Sequence, residues 1–165
     1  ITIENIKITG SEGPLFVRLG SRGREYDKPT EQIQGKDAKP EGVPTGSIKG
    51  ITIRNIDAEI VAEDRARSGI MITGVPGHYI EDVLLEDITI SYPGGGTAEE
   101  AKKVVDEDIA RYPEQFFFGV LPSWGAYVRH AKNVEFKNVN MTTRAPDARD
   151  EIVLVDVEDF TNDDV

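Results

Sequence analysis

A chain of 165 residues with 38% hydrophobic and 30% charged side chains can bury one core, and it is too short to require two domains. Its 30 acidic against 19 basic residues give a net charge of -11, which excludes a general affinity for nucleic acid or anionic membranes and leaves any anionic partner dependent on a local basic patch. No cysteine is present, so there is neither a disulfide frame nor a thiolate metal site, and no stretch reaches the roughly 18 apolar residues that span a bilayer.

The chain opens on Ile1-Thr2-Ile3-Glu4-Asn5-Ile6, a strand pattern with no charged and apolar leader before it, which reads as a cut end. This opening recurs. ITIENIKI from Ile1, ITIRNIDA from Ile51, VLLEDITI from Val83 and VEFKNVNM from Val134 all read apolar, x, apolar, charged, Asn or Asp, apolar. Period-2 alternation predicts a strand with one buried face, and Asn or Asp at the fifth place marks a sharp bend, because these residues tolerate left-handed backbone. Each unit is therefore strand, bend, strand.

Further apolar runs begin at Pro14 (PLFVRLG), Gly69 (GIMITG), Ala126 (AYVRHA) and Ile152 (IVLVDV). The last two units align without a gap: Ala126 stands eight residues before Val134, as Ile152 stands eight before Phe160. Insertions separate the other units. One, about 21–47, is rich in Gly, Pro, Lys and Glu and reads as a surface loop; the other spans about 93–122. In the latter, Thr97-Ala98-Glu99-Glu100 predicts a capping box opening a short helix that continues to about Arg111 and ends before Pro113.

Repeated short β-branched strands with insertions at the corners predict an all-β chain, a partial right-handed parallel β-helix over 1–165 with one short helix in an inserted loop. A leucine-rich repeat would need a Leu ladder where this chain has Ile and Val. A β-sandwich would not place an Asn or Asp bend at the same point of every unit.

Three segments carry a resemblance: PLFVRLGSRGR at Pro14–Arg24, SGIMITGVPGHYIEDVLLEDITI at Ser68–Ile90, and YPEQFFFGVLPSWGAYVRHAKNVEFKNVNM at Tyr112–Met141. Together they resemble the distal coils of family 28 glycoside hydrolases, the polygalacturonase and rhamnogalacturonase group, over nearly the whole chain. The resemblance implies a bacterial, secreted or periplasmic parent that hydrolyses pectic polysaccharide with inversion. Inversion needs one carboxylic acid on the leaving oxygen and a second carboxylate to activate water. The family carries these on an Asn-Thr-Asp segment and an Asp-Asp pair, followed by Gly-His-Gly and Arg-x-Lys. None of these occurs here in the expected order, so no catalytic residue is assigned and the isolated chain is expected to be inactive. A non-catalytic carbohydrate-binding or adhesin-like β-helix is the alternative.

Aligning the coils on the family places Arg18, Arg22 and Arg24 where the substrate groove would continue, with Tyr26 beside them to stack on a sugar ring. Guanidinium groups bind carboxylates bidentately, which suits a polyuronide; the competing reading is that the arginines pair with Glu25, Asp27 or Glu31. His78, in Pro76-Gly77-His78-Tyr79, reads as part of a turn, and Asp163-Asp164 as a solvated terminus. Trp124 and Phe116, Phe117 and Phe118 read as pinning the second insertion, His130 as a core or stack histidine, and Asn140-Met141-Thr142 as an idle sequon. No cofactor is expected, nor any metal, since no His, Asp and Glu cluster has ligand spacing. The apolar opening strand should self-associate if left uncovered.

Overall fold

The computed structural model describes residues 1–21, 45–61, 69–111 and 114–163. Among these the strands are β1 (Thr2–Ser11), β2 (Phe16–Arg18), β3 (Ile48–Ile60), β4 (Ile70–Thr73), β5 (Ile80–Tyr92), β6 (Ser123–Thr143) and β7 (Asp150–Asp163). All strand pairings are parallel, in the order β1-β3-β5-β6-β4-β2 with β7 also on β6, and the sheet curls into a half-barrel.

The curl has a local cause. The long strands turn at residues with positive φ, and these fall in register: Asn5, Asn55, Asp87 and Asn138 form one row, and Asp82, Asn133 and Asp159 another. A left-handed backbone crowds Cβ against the next carbonyl, and Asn and Asp tolerate it because a short polar side chain can bond nearby. Here the bonds run along the stack: Asn55 Nδ2 donates to Asn5 Oδ1 at 2.5 Å, Asn133 Nδ2 to Asp82 Oδ1 at 2.7 Å, and Asn138 Nδ2 to Asp87 Oδ1 at 2.7 Å. The repeated fifth-place Asn or Asp is thus both bend and rivet.

Between the bends, alternate side chains line the concave core in columns. Ile51, Val83, Val134 and Phe160 share one, and Ile53, Leu85 and Phe136 the next. Burying each such side chain is worth roughly 1.5 to 3 kcal/mol, and this cumulative gain is what fixes the register. Thr52 N donates to Ile1 O, so the four aligned openings at Ile1, Ile51, Val83 and Val134 stand on successive strands of one sheet. The gapless alignment holds as well, Ala126 pairing with Ile152 and Val134 with Phe160.

The helix expected over Thr97–Arg111 does not form. The capping box does: Glu100 N donates to Thr97 Oγ1 at 3.2 Å and Thr97 N to a Glu100 carboxylate oxygen at 2.7 Å. It opens only a 3₁₀ turn, Glu100–Lys102, after which the chain extends. The carbonyls of Val105, Asp106, Glu107 and Asp108 are taken by arginines of the sheet, a use that an α-helix would forbid by turning them onto its own N–H groups. A second 3₁₀ turn spans Gln115–Phe118. Val105, Phe118 and Leu121 then cover the convex side of the sheet at Phe16, Met71, Tyr127 and Val153, a second apolar cluster outside the first.

The other insertion, about 21–47, falls mainly outside the described residues, as do Arg22, Arg24 and Tyr26. Phe118 pins the second insertion as expected, while Phe116 and Phe117 are exposed. Trp124 instead packs on the main core, edge to face with Tyr92 at 6.0 Å.

Candidate functional site

Chemistry-bearing side chains converge where the second insertion crosses the convex sheet at β2, β4 and β6. Arg18 on β2 and Arg129 on β6 flank Thr73 of β4 in register. Arg18 Nη1 donates to Thr73 Oγ1 and to Gly74 O, both at 3.3 Å, and Nη2 donates to Glu107 O at 2.8 Å and Asp108 O at 2.9 Å. Its guanidinium also lies 5.1 Å from the Phe118 ring centroid. Burial, and next the neighbouring Arg129, pull its pKa down to about 10. Arg18, expected as a ligand of substrate carboxylate, thus directs both terminal nitrogens to the Thr73 hydroxyl and the chain's own carbonyls. Glu25, Asp27 and Glu31, the loop carboxylates of the competing reading, lie outside the described residues.

Arg129 is buried and works in the same way, donating to Val105 O at 2.9 Å and Asp106 O at 3.0 Å, with Glu107 Oε1 at 3.4 Å from its Nη1. Two cations are thereby held side by side under one strand of carbonyl oxygens, with the Glu107 carboxylate as counter-charge.

His130 adjoins this pair. It occupies the bend after Arg129 with φ of +47°, and Asp156 stands above it on β7 with φ of +53°, an arrangement equivalent to the Asn rows. His130 Nδ1 lies 2.6 Å from Asp156 Oδ2, and Nε2 lies 3.1 and 3.2 Å from the two Glu107 carboxylate oxygens. Tyr79 donates its hydroxyl to Asp156 Oδ1 at 2.8 Å, with its ring edge-on to the imidazole at 6.4 Å. Lys132 sits over the Tyr79 ring at 5.5 Å and pairs with Glu158 at 2.6 Å. Hydrogen bonds from His130 and then Tyr79 hold the Asp156 carboxyl below its usual range, and the same bond to Asp156 raises the Tyr79 phenol.

As chemistry, this is a histidine facing two carboxylates from different elements. Both ring nitrogens are engaged inside the chain, so His130 is the stack histidine that its strand pattern suggests. Asp156 is legible in the sequence, since the 26-residue offset that maps Ala126 onto Ile152 maps His130 onto Asp156. Glu107 is not, because nothing in the periodicity says where an insertion crosses the sheet.

His78 lies in a tight reversal, bonded to Val75 in both directions across Pro76-Gly77, with Gly77 at φ of +76°. That is the turn expected of it, with Pro and Gly in the two central places. Asp163 stands beside Lys137 in the register and is exposed, while Asp164 lies outside the described residues. Among the described residues no group of three His, Asp or Glu side chains is arranged to hold a metal ion, and no helix is long and apolar enough to cross a membrane. No family model, curated protein or solved structure matches the chain.

Proposed function

We propose that this chain forms distal coils of a right-handed parallel β-helix in a pectin-type polysaccharide hydrolase, as scaffold and as one flank of a substrate groove. The observation that carries the reading is the register. Strand-bend-strand units stack in parallel with their apolar columns and Asn or Asp bends superposed, as coils of one solenoid would.

In this reading the bonds from glycosidic oxygen to anomeric carbon are cut by carboxylic acids on coils outside these 165 residues. Recognition of the uronic acid carboxylates falls to Arg22 and Arg24, with Tyr26 against a sugar face. Arg18 drops out of that role because its donors are engaged internally. The parent is secreted or periplasmic, where its polymer is found.

The test is an assay of the full-length gene product on polygalacturonan and rhamnogalacturonan. Release of reducing ends with inverted anomeric configuration is expected, and Arg22→Ala with Arg24→Ala should raise KM more than it lowers kcat. Tight binding of either polymer without release would favour the non-catalytic carbohydrate binder. Neither binding nor release would overturn both.

A further inference from the structure

We propose that His130 is a proton-operated clasp: its imidazolium fastens the second insertion, through Glu107, to β7, through Asp156, and loss of the proton releases the insertion.

The geometry sets up the switch. An ionised carboxylate only accepts hydrogen bonds, so each of the two carboxylates facing His130 requires an N–H. Imidazolium supplies two, one at 2.6 Å from Asp156 Oδ2 and one at 3.1 Å from Glu107 Oε1. Neutral imidazole has a single N–H, and its other nitrogen presents a lone pair to whichever carboxylate remains. One contact must then turn repulsive, in a pocket where His130 is only 7% exposed and water is a poor substitute.

Which contact fails is decided by the neighbours. Asp156 has the shorter bond and holds the Tyr79 hydroxyl as well. Glu107 splits its contact between two oxygens and is otherwise faced by Arg129 at 3.4 Å. The remaining charges near the ring are Arg18 on β2 and Asp108 in the insertion, both beyond Glu107, and Lys132 and Glu158, which pair with each other on the far side of Tyr79. None of these offers His130 a second donor. The neutral ring keeps its proton on Nδ1 for Asp156, and Glu107 lets go.

The consequence travels along the main chain. Glu107 belongs to the extended run whose carbonyls hold Arg18 and Arg129, and the next residues anchor the start of the first insertion, Ser21 N donating to Ile109 O at 2.8 Å. The donor count gives the sign. Both contacts are made when the ring carries two N–H groups and one is lost when it carries a single N–H, and histidine changes between these forms in the range of about pH 5 to 8. Low pH closes the clasp and high pH opens it. The mechanism is independent of which polymer the protein handles.

Amide exchange by NMR, expressed as protection factors corrected for intrinsic rate, tests this at pH 5 and pH 8 alongside a ring-proton titration of His130. The amides of Ser21 and Arg111, bonded to Ile109 O and Asp108 O, should lose protection by about tenfold between the two values, with the midpoint of the ring titration. Glu107→Gln replaces the offending acceptor with an amide that can donate to a neutral ring, so its protection should be high and equal at both pH values. His130→Asn, which tolerates the bend, should be open at both. Equal protection in the unmodified protein across the His130 titration, or a His130 that does not titrate between pH 5 and 8, overturns the proposal. So does a Glu107→Gln variant that keeps the full pH dependence.

Discussion

Arg18 and Arg129 both donate to one hydroxyl oxygen, that of Thr73, at 3.3 Å from either side. The threonine in turn donates to Gly74 O, so one buried side chain spaces two guanidiniums and ties both to the main chain. Two like charges in this position repel, and the arrangement stands because four carbonyls of the second insertion and one carboxylate face them.

Arg18 is accordingly a structural residue, and Arg18→Ala should cost about 2 to 4 kcal/mol, since it strips donors from carbonyls beneath the insertion. Urea unfolding followed by far-ultraviolet circular dichroism measures this. A variant of unchanged stability that instead loses affinity for oligogalacturonate would return Arg18 to the groove.

The bends give a sharper comparison at Asn138, whose φ is +51° and whose amide donates to Asp87. Alanine loses the hydrogen bond and adds the left-handed Cβ penalty, so Asn138→Ala should cost about 2 to 3 kcal/mol. Glycine loses the bond alone, and Asn138→Gly should cost about 1 kcal/mol. Equal costs in chemical denaturation would mean that the strain is not what the asparagine relieves.

These bends are also the most legible part of the sequence. Alternation of Ile and Val, with Asn or Asp at the fifth place, is enough to align Ile1, Ile51, Val83 and Val134, because core columns and left-handed corners each restrict which residues can recur. Thr97-Ala98-Glu99-Glu100 is legible as a cap and misleading as a helix. A capping box reports on the first turn only, and the turns beyond it are decided by Arg18 and Arg129, which compete for the carbonyls of 105–108 from other strands. For Arg18 the pattern gives the strand correctly, but the carbonyls its donors meet depend on the path of the insertion above it, which has no periodic signature.

A buried ion pair closes the junction between the second insertion and the turn before β7. Arg149 Nη2 lies 2.7 Å from Asp147 Oδ2, with the side chains 3% and 1% exposed, and Gly96 N donates to the same carboxylate. Burial works to raise the Asp147 carboxyl, while hydrogen bonds from Arg149 and Gly96 overcome it and hold it below the usual range. A depressed carboxylate contributes stability above its unfolded value of about 4 and loses it as pH falls through the folded one. Arg149→Met, which leaves the carboxylate buried without its cation, should cost about 3 to 5 kcal/mol at neutral pH, and less below about pH 4 as Asp147 takes a proton. Asp147→Asn should flatten the acid limb of the stability curve.

Both outer strands of the stack leave apolar side chains in solvent. On β1, Ile3 and Ile6 are 40% and 38% exposed, with Ile1 just before them at 81%, and on β7 Leu154 and Val155 are 43% and 40% exposed. Among the described residues each of these strands pairs on one side alone, leaving a row of main-chain donors and acceptors on the other, and a parallel edge with an apolar flank is a template for another strand. The isolated 165-residue chain should therefore associate with rising concentration, its apparent mass in static light scattering climbing above that of a monomer. Ile3 is the outermost member of the column of Ile53, Leu85 and Phe136, so a lysine there sets an ammonium where an added strand would have to bury it, and Ile3→Lys should restore the monomer while leaving the circular dichroism spectrum unchanged. If association persists unaltered in Ile3→Lys, the β1 edge is not its seat, and a parallel Leu154→Lys variant then decides whether β7 is.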